Sequence, residues 1–334
     1  MKLSVQEINK IFTDFQKKKI LVIGDVMVDA YWWGNVNRIS PEAPVPVVLV
    51  NKREYRLGGA ANVALNIKEM GAEPILVSLV GNDFDGNTLL GLLDKRDIEK
   101  KYIAQSANRP TTVKSRIIAN EQQQLMRVDN EITAIISQKE SDEIYENAVK
   151  AMNNADALVF EDYDKGLLSA PLIERIITEA NKRNIPVIVD PKKNNFFDYK
   201  NATLFKPNLK ELREGLGLTI PKPIQIEDLR EAAQQLFDRT NIKIAFITLS
   251  EAGVYINDRK KDMIVPSHKR SIYDVSGAGD TVGAIAALAI DSGIGNSLLA
   301  MLTNIAGGLV CEQVGVVPIN RDAYLSECIR LLAE

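Results

Sequence analysis

Apolar positions along this chain recur with two spacings that take turns. Val5, Ile8, Ile11, Phe12 and Phe15 fall three or four apart, which places them on one helix face, and the unbroken apolar run Ile20-Leu21-Val22-Ile23 follows. A run that is apolar at every position is what a parallel strand needs when helices cover both of its faces. The same alternation predicts strands over 19–24, 77–80, 157–160, 186–189, 202–205 and 244–249, and a late hairpin of 254–257 against 263–266. Helices are predicted over 5–15, 141–152, 171–184, 226–239, 282–292, 298–312 and 323–332, with others opening at 58–62 and after 81–83. Two stretches differ. Tyr31-Trp32-Trp33-Gly34 and the Pro-rich segment 41–50 have no helical period and read as short exposed strands, and 111–118 and 125–129 are strand-like as well. The chain is therefore expected to be one α/β domain over residues 1–334. Its core is a doubly wound, mainly parallel sheet flanked by helices, with a small β-sheet lid formed by about 30–57 and 102–129. That lid either covers a site while pairing with another subunit, or is an edge hairpin with no part in the site.

Composition narrows the partners. With 334 residues, 46% of them hydrophobic, the chain can bury a large core, and no Pro/Gly/Ser-rich linker divides it. Its 41 basic and 44 acidic residues leave a net charge of -3, so no global field draws it to nucleic acid or an anionic membrane, and small molecules are the expected ligands. Cys311 and Cys328 do not make a zinc set and suit a reducing compartment. The single histidine, His268, excludes His-based triads and HExxH sites and is read as incidental. Neither a secretory apolar segment nor a membrane-length run is visible, so a cytoplasmic location is expected.

Right-handed crossovers put all parallel strand ends on one edge of a sheet, and the polar clusters fall there. Asp25 and Asp29 follow the first strand and either fix sugar hydroxyls or cap a turn. Gly58-Gly59-Ala60-Ala61-Asn62 opens a helix with residues small enough for close ligand approach, and Asn62 both donates and accepts. Glu161-Asp162-Tyr163, Asp190-Pro191-Lys192 and Lys206-Pro207-Asn208-Leu209-Lys210-Glu211 end three later strands and imply one shared cleft. Asn208 and Glu211 share a face on the opening turn of a helix; they suit a hydrated Mg²⁺ and nucleotide phosphates, and equally a capping box. Thr248, Ser250 and Gly253 lie on the nucleotide side, and Asn304 with Gly307-Gly308 leaves room for a flat base. Lys114 and Arg116, two apart on one strand, with Arg127 on the next and Lys192, form either a sugar-phosphate recognition surface or ordinary solvated charges.

The sharpest chemistry lies in Asp274-Val275-Ser276-Gly277-Ala278-Gly279-Asp280-Thr281. Its glycines let successive N–H groups converge where a helix N-terminus adds positive partial charge, which makes a socket for a developing anion. Asp280 at its mouth is placed to take a proton from a hydroxyl while the N–H groups hold the phosphoryl group under attack. A helix merely capped by Asp and Gly is the plainer alternative.

With Gly58-Gly59-Ala60-Ala61-Asn62 early, Pro207-Asn208-Leu209-Lys210-Glu211 between and Gly277-Ala278-Gly279-Asp280 late, the chain resembles the ribokinase-like (PfkB) carbohydrate kinases over nearly its whole length. Within that family, Gly24-Asp25-Val26-Met27-Val28-Asp29, the segment 38–47 and Asp190-Pro191-Lys192 are similar to the heptose 7-phosphate kinases. The resemblance implies a ribokinase-like core, a β-lid that helps form a homodimer, and ATP with Mg²⁺ as the phosphoryl source for O1 of a heptose 7-phosphate. It also implies Asp280 as base, Gly277, Ala278 and Gly279 as anion hole, Asn208 to Glu211 near phosphate and metal, and Asn304 near adenine. Asp274, Ser276 and Gly315 match positions that line a K⁺ site in family members. A nucleotidylyltransferase domain is not expected within these residues. The rivals are a kinase of the same fold with another sugar, sugar phosphate or nucleoside as acceptor, and a non-catalytic sugar-binding module. A dehydrogenase is disfavoured because no G-x-G-x-x-G follows the first strand.

Overall fold

Along the first strand, Ile20 and Val22 turn to one side and Leu21 and Ile23 to the other, and each set is buried in a separate apolar cluster. A computed structural model describes residues 2–119, 123–221, 223–290 and 292–334. In chain order the strands are β1 (Lys19–Gly24), β2 (Val26–Ile39), β3 (Pro46–Gly59), β4 (Glu73–Gly81), β5 (Tyr102–Ser106), β6 (Thr112–Ala119), β7 (Gln123–Asn130), β8 (Ala157–Glu161), β9 (Val187–Asp190), β10 (Leu204–Phe205), β11 (Ile244–Thr248), β12 (Val254–Asn257) and β13 (Asp262–Val265). The helices are α1 (Val5–Phe15), α2 (Ala60–Glu69), α3 (Phe84–Lys95), α4 (Gln138–Ala151), α5 (Ala170–Lys182), α6 (Leu209–Leu216), α7 (Ile226–Thr240), α8 (Ala278–Ala289), α9 (Asn296–Val310) and α10 (Arg321–Leu332).

The main sheet runs β13-β12-β11-β10-β9-β8-β1-β4-β5, parallel from β11 to β5, with β12 and β13 added antiparallel at one edge. Helices α4 to α7 cover one face and α1, α2, α3, α8, α9 and α10 the other. The winding reverses between β1 and β8, so a crevice opens beyond Gly24 and Glu161, the place where sheets of this kind bind ligands. Helix α8 is buried from Asp280 to Ala289 and packs against α2 and α9, as befits a helix with small or apolar residues all round. It begins four residues ahead of the apolar pattern, because Ala278-Gly279-Asp280-Thr281 carries no period to announce it.

Strands β2, β3, β6 and β7 form a second sheet in the order β3-β2-β6-β7. Here β2 and β3 are 14 residues each and pair from Val26↔Gly59 to Ile39↔Pro46, so they make one long ribbon with register shifts after Trp33 and Val36 in place of short strands. The expectation that this sheet begins at residue 102 is corrected. Tyr102–Ser106 is β5, parallel to β4 at the edge of the main sheet, with Ala104 packed on one face and Ile103 on the other. A β-period alone does not say which sheet a strand joins. Residues 120–122 of the expected lid lie outside the described residues.

Candidate active site

Asp280 lies in the first turn of α8, only 3% exposed, with both carboxylate oxygens engaged. Asn62 Nδ2 donates to its Oδ2 at 2.6 Å and the Tyr163 hydroxyl to its Oδ1 at 2.8 Å. Burial pushes this carboxyl up to about 6; the bonds from Asn62 and Tyr163 pull it down, Asp190 adds to the rise and Lys206 opposes it. Such a group is ionised at neutral pH yet basic enough to hold a proton briefly.

The glycines before Asn62 explain how α2 reaches this point. Gly59 has φ 59°, and a Cβ there would lie 2.3 Å from the Asp25 carbonyl oxygen; one on Gly58 would lie 2.2 Å from Asp29 Oδ2. No other residue lets β3 end so close to β1 and β2. One turn further along α2, Asn66 Oδ1 accepts from the Thr281 hydroxyl at 3.0 Å and from Ile319 N at 2.9 Å, which locks α2 to α8.

Gly277 caps α8 with φ 80°, and a Cβ at Gly279 would stand 3.5 Å from Asp190 Oδ2 and 3.8 Å from Lys206 Nζ. The expected anion hole therefore sits over a buried ion pair, Lys206 Nζ to Asp190 Oδ2 at 2.6 Å. Glu161 beside it is fully buried, and neither of its carboxylate oxygens has a hydrogen-bond partner. Burial, then the charges of Asp190 and Asp280, raise its pKa well above the carboxylate range. Lys192 Nζ reaches Glu211 Oε1 at 2.5 Å and Asp190 Oδ1 at 3.6 Å.

Asn208 and Glu211 form the capping box: Glu211 N donates to Asn208 Oδ1 at 2.9 Å and Asn208 N to Glu211 Oε2 at 2.8 Å. Glu211 thus serves the helix with one oxygen and faces Lys192 with the other. Leu209 packs on the core, Lys210 is exposed near Glu214 and Asn208 caps the helix, so of that run the Glu211 side chain alone is seen to meet another of the strand-end residues, Lys192. From the glycines of α8 a cavity of about 680 Å³ extends along α9, lined by Thr248, Ser250, Gly253, Asn304, Gly307 and Gly308. Asn304 Nδ2 donates to the Pro266 carbonyl at 2.8 Å, holding the strand that walls the cavity. Composition gave no hint of two further lining residues: His268, dismissed as incidental, and Arg270, which pairs with Glu312 at 2.9 Å and with Glu327.

On the other side of Asp280, Asp25 accepts from the backbone N–H groups of Tyr163 (2.9 Å), Lys165 (3.1 Å) and Leu167 (3.4 Å), and so organises the loop after β8. Asp29 pairs with Arg116, whose guanidinium lies 5.2 Å from the Tyr31 ring centroid, with that of Arg56 at 4.6 Å. Arg116 and Arg127 face each other across β6 and β7 as expected, but the cationic patch is split. Lys114 is matched by Asp129 at 3.3 Å and Glu131 at 3.2 Å, and Arg127, half exposed, by Asp129 at 2.9 Å. Asp274, Ser276 and Gly315 do meet: Ser276 N donates to Asp274 Oδ1 and Gly315 N to its Oδ2, both at 2.9 Å. Burial raises this carboxyl, but those amides and Arg116 outweigh it and keep it below its ordinary value.

Comparison with known proteins decides the class. Residues 17–321 match the profile of the pfkB family carbohydrate kinases. The chain belongs to the pfkB family. As such it is an ATP-dependent carbohydrate kinase, a class that also uses a divalent metal. It is 39% identical over 303 residues to the bifunctional protein HldE of Methylobacillus flagellatus, covering 90% of this chain and 61% of that protein, and 38% identical over 309 residues to HldE of Koribacter versatilis, covering 92% and 63%. The chain thus spans a little over three fifths of the length of these relatives. Among solved structures, phosphofructokinase-2 from Escherichia coli in complex with potassium superposes with a TM-score of 0.77 at 21% identity, covering 92% of this chain and 99% of that one. Ribokinase from Arabidopsis thaliana with ribose and ATP gives 0.72 at 17%, with the same coverage. At such identities these two support the ribokinase-like fold alone.

Proposed function

We propose that this pfkB-family kinase transfers the γ-phosphoryl group of ATP to O1 of D-glycero-β-D-manno-heptose 7-phosphate, giving the 1,7-bisphosphate, a step toward ADP-heptose for the lipopolysaccharide inner core. The observation that carries the reading is Asp280, held by Asn62 and Tyr163 in the first turn of α8, next to Ala278 and Gly279, which line the 680 Å³ cavity. Asp280 takes the proton of the acceptor hydroxyl as the new O1–P bond forms and the bond to the leaving ADP oxygen breaks. The N–H groups at Gly277, Ala278 and Gly279 stabilise charge on the moving phosphoryl group. The transition state is loose, so positioning matters more than base strength. The heptose assignment rests on the similarity of the 24–29, 38–47 and 190–192 segments and on the HldE relatives. It is tested by offering ATP with heptose 7-phosphate, fructose 6-phosphate, ribose and a nucleoside, and weighing products by mass spectrometry. A bisphosphate from the heptose substrate at the highest kcat/KM supports it; preferred transfer to an unphosphorylated acceptor rejects it.

Mg²⁺ takes oxygen ligands and keeps several waters. Among the described residues no group of three or more His, Cys, Asp or Glu side chains converges as a dedicated metal cage, which suits a metal that arrives with nucleotide phosphates, with Glu211 as its protein carboxylate. Bound there it would offset phosphate charge. A K⁺ ion beside the anion hole would be held by ionised Asp274 with the backbone of Ser276 and Gly315; the Val314 and Val316 carbonyls are taken by Arg56 at 3.3 and 3.0 Å.

Arg116, deep in the cleft beside Asp29, is our leading residue for the substrate phosphate, ahead of Lys114, Arg127 and Lys192. Arg116→Ala is expected to weaken kcat/KM for the sugar phosphate over its unphosphorylated form by roughly ten- to a hundred-fold, since a charge-assisted contact contributes about 1.5 to 3 kcal/mol. Comparing two substrates in one variant cancels any general damage, and equal losses would remove the assignment. A homodimer through the small sheet is supported by Ile39, Leu49, Met126 and Val128, all at least half exposed on its strands. Leu49→Glu should therefore yield a monomer by light scattering where the unmodified chain gives a dimer. No helix among the described residues is long and apolar enough to cross a membrane.

A further inference from the structure

Tyr163 is the group around Asp280 that no motif explains. It sits on a loop fixed from several directions: its own N–H and those of Lys165 and Leu167 bind Asp25, while Asp162 accepts from Asp164 N at 2.8 Å, Asn195 Nδ2 at 3.0 Å and the Tyr199 hydroxyl at 2.7 Å. The ring lies 5.3 Å from Lys192 Nζ, and the hydroxyl donates to Asp280 Oδ1. A phenol has one proton to give, and here it goes to the carboxylate. Burial, followed by the negative charges of Asp280, Glu161 and Asp190, keeps the phenol protonated far beyond neutral pH, so it remains a donor.

We propose that Tyr163 is a positioning residue for the base: its hydroxyl fixes the rotation of the Asp280 carboxylate and favours its ionised form throughout turnover. The inference rests on Asp280 acting as base. With Asn62 on Oδ2 and Tyr163 on Oδ1, the carboxylate is held by two elements far apart in sequence, and each oxygen keeps a second lone pair for the incoming hydroxyl. The other charged groups facing Asp280 are Glu161 at the end of β8, Asp190 at the end of β9, Lys206 just after β10, and Lys192. All of them stay in place when only the phenol oxygen is removed.

The test is kcat against pH at saturating substrates for the unmodified enzyme, Tyr163→Phe, and the enzyme with 3-fluorotyrosine at position 163. Loss of a donor to the charged form raises a carboxyl pKa, so Tyr163→Phe should move the acid limb up by about one pH unit and lower kcat about ten-fold, with KM for ATP unchanged. The fluorinated ring, a stronger donor of the same shape, should move the limb down. A phosphorylated substrate also titrates near pH 6, but equally for all three enzymes, so the displacement between them is what counts. If Tyr163→Phe melts like the unmodified protein and its limb stays put, or the fluorinated enzyme shifts upward, the positioning role is wrong. Asp280→Asn run alongside separates the two ideas. Near-normal turnover there removes the base itself, whereas a large loss there with an unmoved limb in Tyr163→Phe removes only the part given to Tyr163.

Discussion

Asp280→Asn will give a folded protein whose phosphoryl transfer is slower by about 10² to 10⁴, the span a positioned general base contributes. The substitution keeps the shape of the side chain and removes its ability to accept a proton; it also replaces one acceptor oxygen by an NH2 donor, so the bond from Asn62 or from Tyr163 on that side is kept only where that neighbour turns to accept. Folding should not suffer at neutral pH, as linkage shows. The folded pKa of Asp280 is about 6 against an ordinary 3.8, so its contribution to stability is fully present below the unfolded value and is lost as pH rises through the folded one. At pH 8 the ionised, buried carboxylate is a net cost that the amide does not carry, which offsets the acceptor oxygen the amide gives up, and the variant should melt close to the unmodified chain. In the unmodified enzyme a base with that pKa is expected to make kcat fall as pH drops through about 6. A stopped assay of bisphosphate formation and a melting curve check both halves. Turnover within a few-fold of normal in a folded variant would strip Asp280 of its role.

Lys206→Met is expected to have the largest effect on stability, a loss of up to about 3 to 5 kcal/mol, because it removes the hydrogen-bonded partner of a buried carboxylate and leaves Asp190 with the more distant Lys192 alone. Lys206 and Asp190 are 2% and 4% exposed, and the nearest other cation to Asp190 is Lys192 at 3.6 Å. Glu161, without hydrogen-bond partners, also depends on Lys206 for its closest positive charge. Methionine fills similar volume, so the loss reports charge and not a cavity. The deficit should shrink as pH falls, because Glu161, whose pKa burial already raises, takes up a proton and no longer needs a cation. Urea denaturation at pH 5 and pH 8 measures it, and a loss under about 1 kcal/mol at both would mean that the pair does not anchor the floor of the anion hole.

The strands of the main sheet were legible because a parallel strand covered on both faces must be apolar at every position, and 20–23, 157–160 and 244–247 are. The place of Asp280 was legible for a different reason: a Gly-x-Gly-Asp turn opening a helix is a local device visible within four residues, and Asp280 does lie in the first turn of α8. What escaped were the contacts that only the closed sheet creates. Tyr163 and Asp280 are 117 positions apart, and nothing near Tyr163 marks its hydroxyl for that carboxylate. Likewise Lys206 is one polar residue at a strand end until β9 and β10 lie side by side and deliver it to Asp190. The cationic strand pattern around Lys114, Arg116 and Arg127 left out its carboxylates, Asp29, Asp129 and Glu131, which arrive through pairings of β2, β6 and β7 and the turn after them. Asn208 and Glu211 carried two readings, cap and phosphate contact, because a helix opening turn suits both; the capping box is the one seen.

The most direct measurement is a crystal structure of the ternary complex with a non-hydrolysable ATP analogue and heptose 7-phosphate. The acceptor O1 is expected within about 2.6 to 3.2 Å of an Asp280 carboxylate oxygen, in line with a γ-phosphate held by the N–H groups of Gly277 to Gly279. A sugar bound with every hydroxyl beyond hydrogen-bond reach of Asp280, or a γ-phosphate seated away from those glycines, would contradict it.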